Sequence, residues 1–480
     1  MKKICLILAT TIATIQLYAL TVNTTAGNLE KAVGENITEK ALEVTGEIDA
    51  SDFDFIAGKM QNLETLNLRN AKIVKYEGKA LNNGRIYCNE NEIPEFALLG
   101  SGIKNITLPA SVISVSDAAF AGTAITSAEL PENCTKIGAM AFKDCILLKS
   151  INLGGVTTVS DDTFSGCTTL TEITGTENLT VIGQRAFKGC ASLENFAFSK
   201  NLIEIGKEAF AKSALKTADI SKTSLTAIES GVFAECTGLT KVVLPESIER
   251  FDRSAFFGDA EISEFNFPNS LTEIGDFGLY GLSKLQYPII TDVNEVVGNH
   301  TNLSTIGKYG MADCSNMTQF SLPATTTYLG DYAMAGWTSF VDLLVRNIDT
   351  APKLGENVWY NVNQPNVYLY VTDSNESSFK DAAQWQEFNF THSTTSAEQT
   401  IAEDLNAKIA VWFDGTVLNV TAKQGIETVT LYDTTGKMLT TVKGDSENIQ
   451  IPTENWQNRL YIVRVSLSDG TVSAVKSARK

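Results

Sequence analysis

One spacing governs this chain. An aromatic or apolar residue recurs at Leu98, Phe120, Phe142, Phe164, Phe187, Phe210, Phe233, Phe256 and Leu279 in steps of 22 or 23 residues, and again at Met311 and Met334. Five residues before each of these, from Phe120 onward, stands another apolar side chain: Val115, Ile137, Val159, Ile182, Ile205, Ile228, Phe251, Ile274, Ile306 and Leu329. Glycine often follows it, as at Gly138, Gly183, Gly206, Gly275, Gly307 and Gly330. Downstream runs a short L-x-x-I-x-L pattern, clearest in Leu239, Val242 and Leu244. Its period-two alternation marks a short strand with one face inward. Proline directly after that strand, at Pro109, Pro131, Pro245, Pro268 and Pro323, ends it and turns the chain. The I-G-x-x-A-F piece then returns along the opposite side as a strand or tight turn, with its ring in the interior.

A coil of this length cannot bury its own apolar face. Successive coils must stack, and their strands are expected to form one long parallel sheet. The fold class is therefore a mostly-β repeat solenoid, a leucine-rich-repeat architecture of 22–23-residue repeats. A β-propeller would need longer repeats with several strands each. At 480 residues and 43% hydrophobic side chains the chain exceeds a single compact domain, which the repeat accounts for.

Solenoid ends need covering units. Residues 20–60 read as an α/β N-terminal cap, with a helix around Leu29 to Val33, a strand at Ala41 to Val44 and a helix from Asp52 with Ser51 as N-cap. Val367 to Phe388, with a Y-L-Y-V strand and a helix-like run through Ser378 to Trp385, closes the array, placing the solenoid over residues 61–390. Between Leu285 and Ile306 one coil carries nine extra residues, including Asp292, Asn294, Glu295 and His300. Insertions of this kind map to surface loops, which serve binding or simply drift. After a linker over 391–402, residues 403–480 show alternating runs at Val417 to Val420, Val429 to Tyr432, Ile449 to Ile451 and Leu460 to Val465. Turn signals divide them, and a small antiparallel β-sandwich is expected.

The N-terminus, residues 1–19, carries Lys2 and Lys3, an apolar run from Ile4 to about Leu17 and the small Ala19, which read as a cleaved signal peptide. The run is too short to span a bilayer, and no other segment is long and apolar enough, so no transmembrane segment is expected in the mature chain.

The pattern L-P-x-x-[IV]-x-x-[IV]-G-x-x-A-F-x-x-C-x-x-L, nearly whole in Leu130 to Leu148, resembles the BspA-type leucine-rich-repeat surface proteins of Bacteroidetes and some protozoa. The resemblance covers about residues 60 to 385. It implies an extracellular repeat protein used for attachment to host proteins or other cells. The run V-x-L-Y-D-T-T-G-K from Val429 to Lys437, the strand L-Y-I-V-R-V from Leu460 to Val465 and the basic end Lys476 to Lys480 resemble the C-terminal sorting domain of the type IX (Por) secretion system. Gly436, Lys437, Tyr461 and Lys480 carry that likeness. It implies periplasmic transit, export across the outer membrane, and tail removal with surface anchoring, with the type IX machinery as partner. Read from its strands alone, the tail is a β-sandwich appendage.

Formal charge is −18, with no Lys/Arg cluster, which argues against a nucleic-acid partner. Eight cysteines in an exported chain invite disulfides. Their phase points elsewhere: Cys145, Cys167, Cys190, Cys236 and Cys314 each lie three residues after the repeat's Phe or Met, a place filled elsewhere by Thr123, Ser213, Asp259, Leu282 and Trp337. A small, semi-buried position holding free thiols fits that set. Cys88 and Cys134 are off phase and pair only if the fold brings them together. With His300 and His392 as the only histidines, a metal centre or a Cys/His nucleophile lacks ligands. Asp161 with Asp162, and Asp52 with Asp54, are carboxylate pairs of a kind used in glycoside hydrolysis, but in an acidic protein such pairs are ordinary surface or helix-start residues. No phosphate-binding glycine loop is present. No catalytic residue, cofactor or metal is assigned.

The expected binding surface is the sheet. Residues flanking each inward position point out: Asn105 and Thr107, Ser127 and Glu129, Ser150 and Asn152, Glu172 and Thr174, Asn195 and Ala197, Thr217 and Asp219, Lys241 and Val243, Glu264 and Asn266, Gln319 and Ser321. This set is polar and mildly acidic, with no exposed aromatics, and suits a polar or basic, extended protein partner or a merely solvated face. The leading expectation is a non-enzymatic surface protein that binds host matrix or other cells. An envelope spacer that associates with itself is the main alternative, and a glycan-active protein, needing two carboxylates across a cleft, is the third.

Overall fold

The computed structural model describes residues 19–78, 88–285, 302–345, 348–392, 409–414, 417–422, 425–432, 438–444, 446–453, 460–468 and 472–478. The leader over 1–18 and most of the irregular coil, 286–301, lie outside them. The chain divides into two compact units, Met1–Ala197 and Phe198–Lys480.

The first unit opens with the cap: strand Leu20–Thr24, helix Leu29–Val33, strand Ala41–Ile48 and helix Ala50–Lys59. The second helix is capped by Asp49, not Ser51 as expected. Asp49 accepts the Ser51 N–H at 2.8 Å, while Asp52 reaches back to the Asp49 N–H at 2.9 Å, a reciprocal capping box. Asp52 also takes the N–H groups of Gly27 and Leu29, each at 2.9 Å, and so ties the two helix starts together. Burial pushes its carboxyl up against the pull of these backbone donors.

From the cap a parallel sheet grows through Thr65–Asn67, Asn105–Thr107, Ser127–Glu129, Ser150–Asn152 and Glu172–Thr174. On the return side of each coil, two-residue strands stack in a second parallel sheet through Glu92–Ile93, Ser114–Val115, Lys136–Ile137, Thr158–Val159 and Val181–Ile182. Phe120, Phe142, Phe164 and Phe187 lie between them, fully buried, with successive ring centroids 5.0, 5.4 and 5.3 Å apart. Such offset stacks add to the burial of the rings themselves.

The second unit repeats this plan. Its sheet face consists of Thr217–Asp219, Lys241–Val243 and Glu264–Phe265 in one group, and Gln319–Ser321, Asp342–Leu344, Tyr368–Val371 and Asn389–His392 in another. The return sheet runs unbroken from Ala227–Ile228 through Arg250–Phe251, Glu273–Ile274, Thr305–Ile306 and Tyr328–Leu329 to Lys353–Leu354. Among the described residues the strands of this face thus fall into separate groups, whereas the return sheet is continuous. Asn195 and Ala197 lie outside any strand, beside Phe196, whose ring turns in to pack 5.2 Å from Phe187.

The C-terminal part of this unit holds two antiparallel sheets. One contains Ile409–Asp414, Val417–Ala422 and Asn448–Pro452; the other contains Met438–Lys443, Ile426–Tyr432, Leu460–Leu467 and Val472–Ala478. Leu418, Val420, Val429, Leu431, Val463 and Val465 share their core.

The cysteine phase has a specific physical content. The seven described cysteines are free and buried. Each in-phase thiol donates to the backbone carbonyl of the interior ring position one coil earlier: Cys145 to Phe120 at 3.0 Å, Cys167 to Phe142 at 3.1 Å, Cys190 to Phe164 at 3.3 Å, Cys236 to Phe210 at 3.1 Å and Cys314 to Leu279 at 3.3 Å. Trp337 makes the same bond with its indole N–H, to Met311 at 2.7 Å. Five cysteines and one tryptophan thus share a donor bond in this column, while Leu282 fills it by apolar packing alone.

Candidate functional site

In the first unit the parallel register aligns Asn105 with Ser127, Ser150 and Glu172. A second column aligns Glu129 with Asn152 and Thr174, and Thr107 aligns with Asn67. The middle residues Ala128 and Ile151 are buried, so strand alternation sends both columns outward. Asn105, Ser127, Glu129, Glu172 and Thr174 are exposed; Thr107, Ser150 and Asn152 are half-buried. The carboxylates of Glu129 and Glu172 have no hydrogen-bond or ion-pair partner among the described residues. Asn152 is engaged locally, accepting the Gly154 N–H at 3.0 Å.

In the second unit Thr217, Lys241 and Glu264 share one column, and Asp219 faces Val243. Most of this patch is already occupied. Lys241 Nζ lies 2.8 Å from Glu264 Oε2, which raises the lysine's affinity for its proton. Asp219 accepts the backbone and hydroxyl of Ser221 at 3.2 and 2.7 Å, and the Ser221 hydroxyl holds its carboxyl below the usual range. Asn266 lies one residue past its strand and clasps Leu244, accepting its N–H at 2.6 Å and donating to its carbonyl at 3.0 Å. Asn266 is therefore a structural clasp between coils.

Farther along, Gln319 aligns with Asp342, Tyr368 and Asn389, and Ser321 with Leu344, Tyr370 and Thr391. Tyr368 is 39% exposed. The Tyr370 hydroxyl donates to Asp342 Oδ1 at 3.3 Å, and burial pushes the Asp342 carboxyl up to about 6. The face extends beyond the set read from the sequence onto the closing strand, and there it carries an exposed aromatic. The Y-L-Y-V alternation already placed both tyrosines on the side opposite Leu369, but as part of a cap and not of the face.

A second feature escaped the sequence reading. Two residues before the interior position stand Phe277, Tyr309 and Tyr332, with Tyr360 beyond them. Their rings lie 5.2, 4.8 and 5.9 Å apart in succession. Arg253 and Lys308 each sit 5.9 Å from a ring centroid, over Phe277 and Tyr309. Phe277, Tyr309 and Tyr332 stack face to face and so cover one another's broad surfaces. The recurring aromatic at that register was the signal for this stripe.

Among the described residues no group of three or more His, Cys, Asp or Glu is placed to hold a metal ion. Asp161 accepts the Gln184 N–H at 2.8 Å, and Asp162 binds the Arg185 guanidinium through contacts of 2.7 to 3.2 Å, so each carboxylate has a structural task. His392 lies 3.0 Å from Glu376 and 3.5 Å from Asp373 at the array's end. Tyr461 is buried, whereas Gly436, Lys437 and Lys480 lie outside the described residues, as does His300. No helix among the described residues is long and apolar enough to cross a membrane.

Stacked coils with an inward ring column, two parallel sheets and a polar outer face define a leucine-rich-repeat solenoid. The family model of the BspA type leucine rich repeat region (6 copies) matches residues 75–189, 157–286 and 289–408, and the chain belongs to that family. Among solved structures it is similar to a leucine-rich repeat protein from Bacteroides ovatus, at 19% identity and TM-score 0.49, over 78% of this chain and 92% of that one. It is also similar to the pneumococcal vaccine antigen PcpA, at 14% identity and TM-score 0.35, over 78% and 82%. A leucine rich cell surface protein from Faecalibacterium prausnitzii is similar at 18% identity and TM-score 0.29, over 53% and 79%. No curated protein matches the chain.

Proposed function

We propose that this is a non-enzymatic, exported protein of the cell surface or extracellular space that binds an extracellular protein, of host matrix or of another cell, through its polar sheet face. The observation that carries the reading is the exposed pair Glu129 and Glu172, unpartnered and set in in-register polar columns on a rigid parallel sheet. Strands about 4.8 Å apart repeat the same polar positions along the array, which suits an extended, basic partner. Unsatisfied carboxylates on such a face give up less on meeting a cation than carboxylates already paired, as Glu264 is with Lys241. The family membership supports a repeat scaffold over an enzyme. The apolar N-terminal run and the tail residues Gly436, Lys437, Tyr461 and Lys480 support export by a leader and a type IX route in a member of the Bacteroidetes.

The test is a surface-binding screen of the whole chain against extracellular-matrix proteins, mucin, glycans and itself, beside a Glu129→Lys, Glu172→Lys double variant. Saturable protein binding lost in the variant supports the reading. Binding to itself alone favours an envelope spacer, and no binding to any protein removes the proposal.

A further inference from the structure

Two occupants of this column bring no N–H, O–H or S–H donor in their ordinary form: Leu282, which is apolar, and Asp259. Asp259 stands between Cys236 and Leu282 in that column, fully buried, with no hydrogen-bond partner for either carboxyl oxygen. Its donor counterparts show what a polar side chain does there. Cys236 donates to Phe210 and Trp337 to Met311, each 26 residues earlier; the same step back from Asp259 reaches the Phe233 carbonyl. A carboxylate has only acceptors, and would set an anion against a carbonyl oxygen in an apolar interior. A carboxylic acid has one O–H donor, and would complete the column as a thiol or indole does.

We infer that Asp259 is held as a neutral carboxylic acid that donates to the Phe233 carbonyl, so that this joint of the coil stack is tighter in acid than in alkali. The surroundings agree. Burial drives the carboxyl well above its ordinary range; the nearby Cys236 backbone N–H, itself bonded to the Phe233 carbonyl at 3.1 Å, pulls the other way, and the charge of Glu235 pushes up again. The Cys236 thiol facing it is itself pushed up to about 12, chiefly by burial, and stays neutral. Glu235 is engaged with Lys212 at 3.6 Å. The next coil places the buried, apolar Leu282 in the column.

The sign follows from linkage. A carboxyl whose pKa is higher folded than unfolded binds its proton more tightly in the folded chain. Its contribution is complete below the ordinary value of about 4 and declines as pH rises through the folded value. The whole chain, Asp259→Cys, which restores the thiol donor, and Asp259→Asn are unfolded in urea from about pH 4 to pH 8. The unfolding constant of the unsubstituted chain, relative to either variant, is expected to rise with pH by up to about tenfold per unit. Infrared difference spectra against Asp259→Asn at neutral pH should show the carbonyl band of a protonated carboxyl. A ratio that does not change with pH, or a carboxylate band in its place, overturns the inference. The infrared reading of Asp259→Asn keeps the test decisive should Asp259→Cys fail to fold.

Discussion

Asp276 Oδ1 accepts the backbone N–H of Lys308 at 2.8 Å across 32 residues of sequence. The same clasp joins Asp161 to Gln184 over 23 residues and Asp117 to Ala139 over 22. Ile274 and Ile306, two residues before these partners, remain in register on the return sheet. The added length between Asp276 and Lys308 therefore leaves the register of the return sheet unchanged.

If the stack does not depend on that added length, it should be removable. Deleting nine residues within 286–301 should leave the thermal unfolding midpoint within about 2 °C, since the return sheet keeps its register across a coil of either length. Differential scanning calorimetry checks this. A fall of about 10 °C or more would show that the segment supports the coils.

The clasp also explains the glycine that follows the inward apolar residue. A Cβ on Gly307 would lie 2.6 Å from Asp276 Oδ1 and 2.7 Å from the Asp276 nitrogen, so the preceding coil leaves no room for a side chain. Gly307→Ala should cost about 1 to 3 kcal/mol. Gly58, in the helix Ala50–Lys59, has open space around it, and Gly58→Ala should stabilise by about 0.5 to 1 kcal/mol. Urea titration of the two variants should give opposite signs.

The repeat period, the inward columns and the capping units were legible because each depends on local alternation and spacing. The use of side chains within the face was less so. Asn266 and Glu129 occupy the same outward column in sequence, yet Asn266 clasps the Leu244 backbone while Glu129 remains free. Nothing in the period distinguishes them: the Leu130 N–H is taken by the Asn152 backbone carbonyl of the next coil, whereas the Leu244 N–H is taken by the Asn266 side chain. Trp337 is larger than the Cys, Ser and Thr that share its column, yet its indole N–H donates to the Met311 carbonyl as the thiols donate to theirs, whereas Leu282 fills the same place by apolar packing alone.

That donor bond ranks substitutions at Cys167, whose Sγ donates to the Phe142 carbonyl at 3.1 Å. Cys167→Ser keeps a donor, whereas Cys167→Ala removes both the bond and part of the packing. The alanine variant should lose about 1 to 2 kcal/mol, and the serine variant less. Burial pushes the Cys236 and Cys314 thiols each up to about 12, so a thiol reagent at mildly alkaline pH should react with them only after denaturation. Rapid labelling of the folded chain at these positions would contradict their burial.

The Asp162–Arg185 pair links stability to pH in the opposite direction from Asp259. The guanidinium holds the Asp162 carboxyl below its usual range, chiefly through their hydrogen bonds. Its contribution is present above the ordinary carboxylate value and is lost as pH falls through the lowered one. Arg185→Met should cost about 1 kcal/mol at neutral pH, and the difference should disappear in acid, below about pH 3. Denaturation of both proteins across that range measures it. A difference as large in acid as at neutrality would assign the loss to packing of the arginine's alkyl stem.

The most direct measurement is the dissociation constant of the whole chain for whichever extracellular protein it binds, compared with two variants. One carries Glu129→Lys and Glu172→Lys on the sheet face; the other carries Tyr309→Ala and Tyr332→Ala on the aromatic stripe. The sheet-face reading requires the first to weaken binding at least about tenfold, with an unchanged unfolding midpoint, and the second to leave binding near that of the unsubstituted chain. Unchanged affinity in the charge-reversed variant, with loss in the tyrosine variant, would place recognition on the stripe and contradict the account.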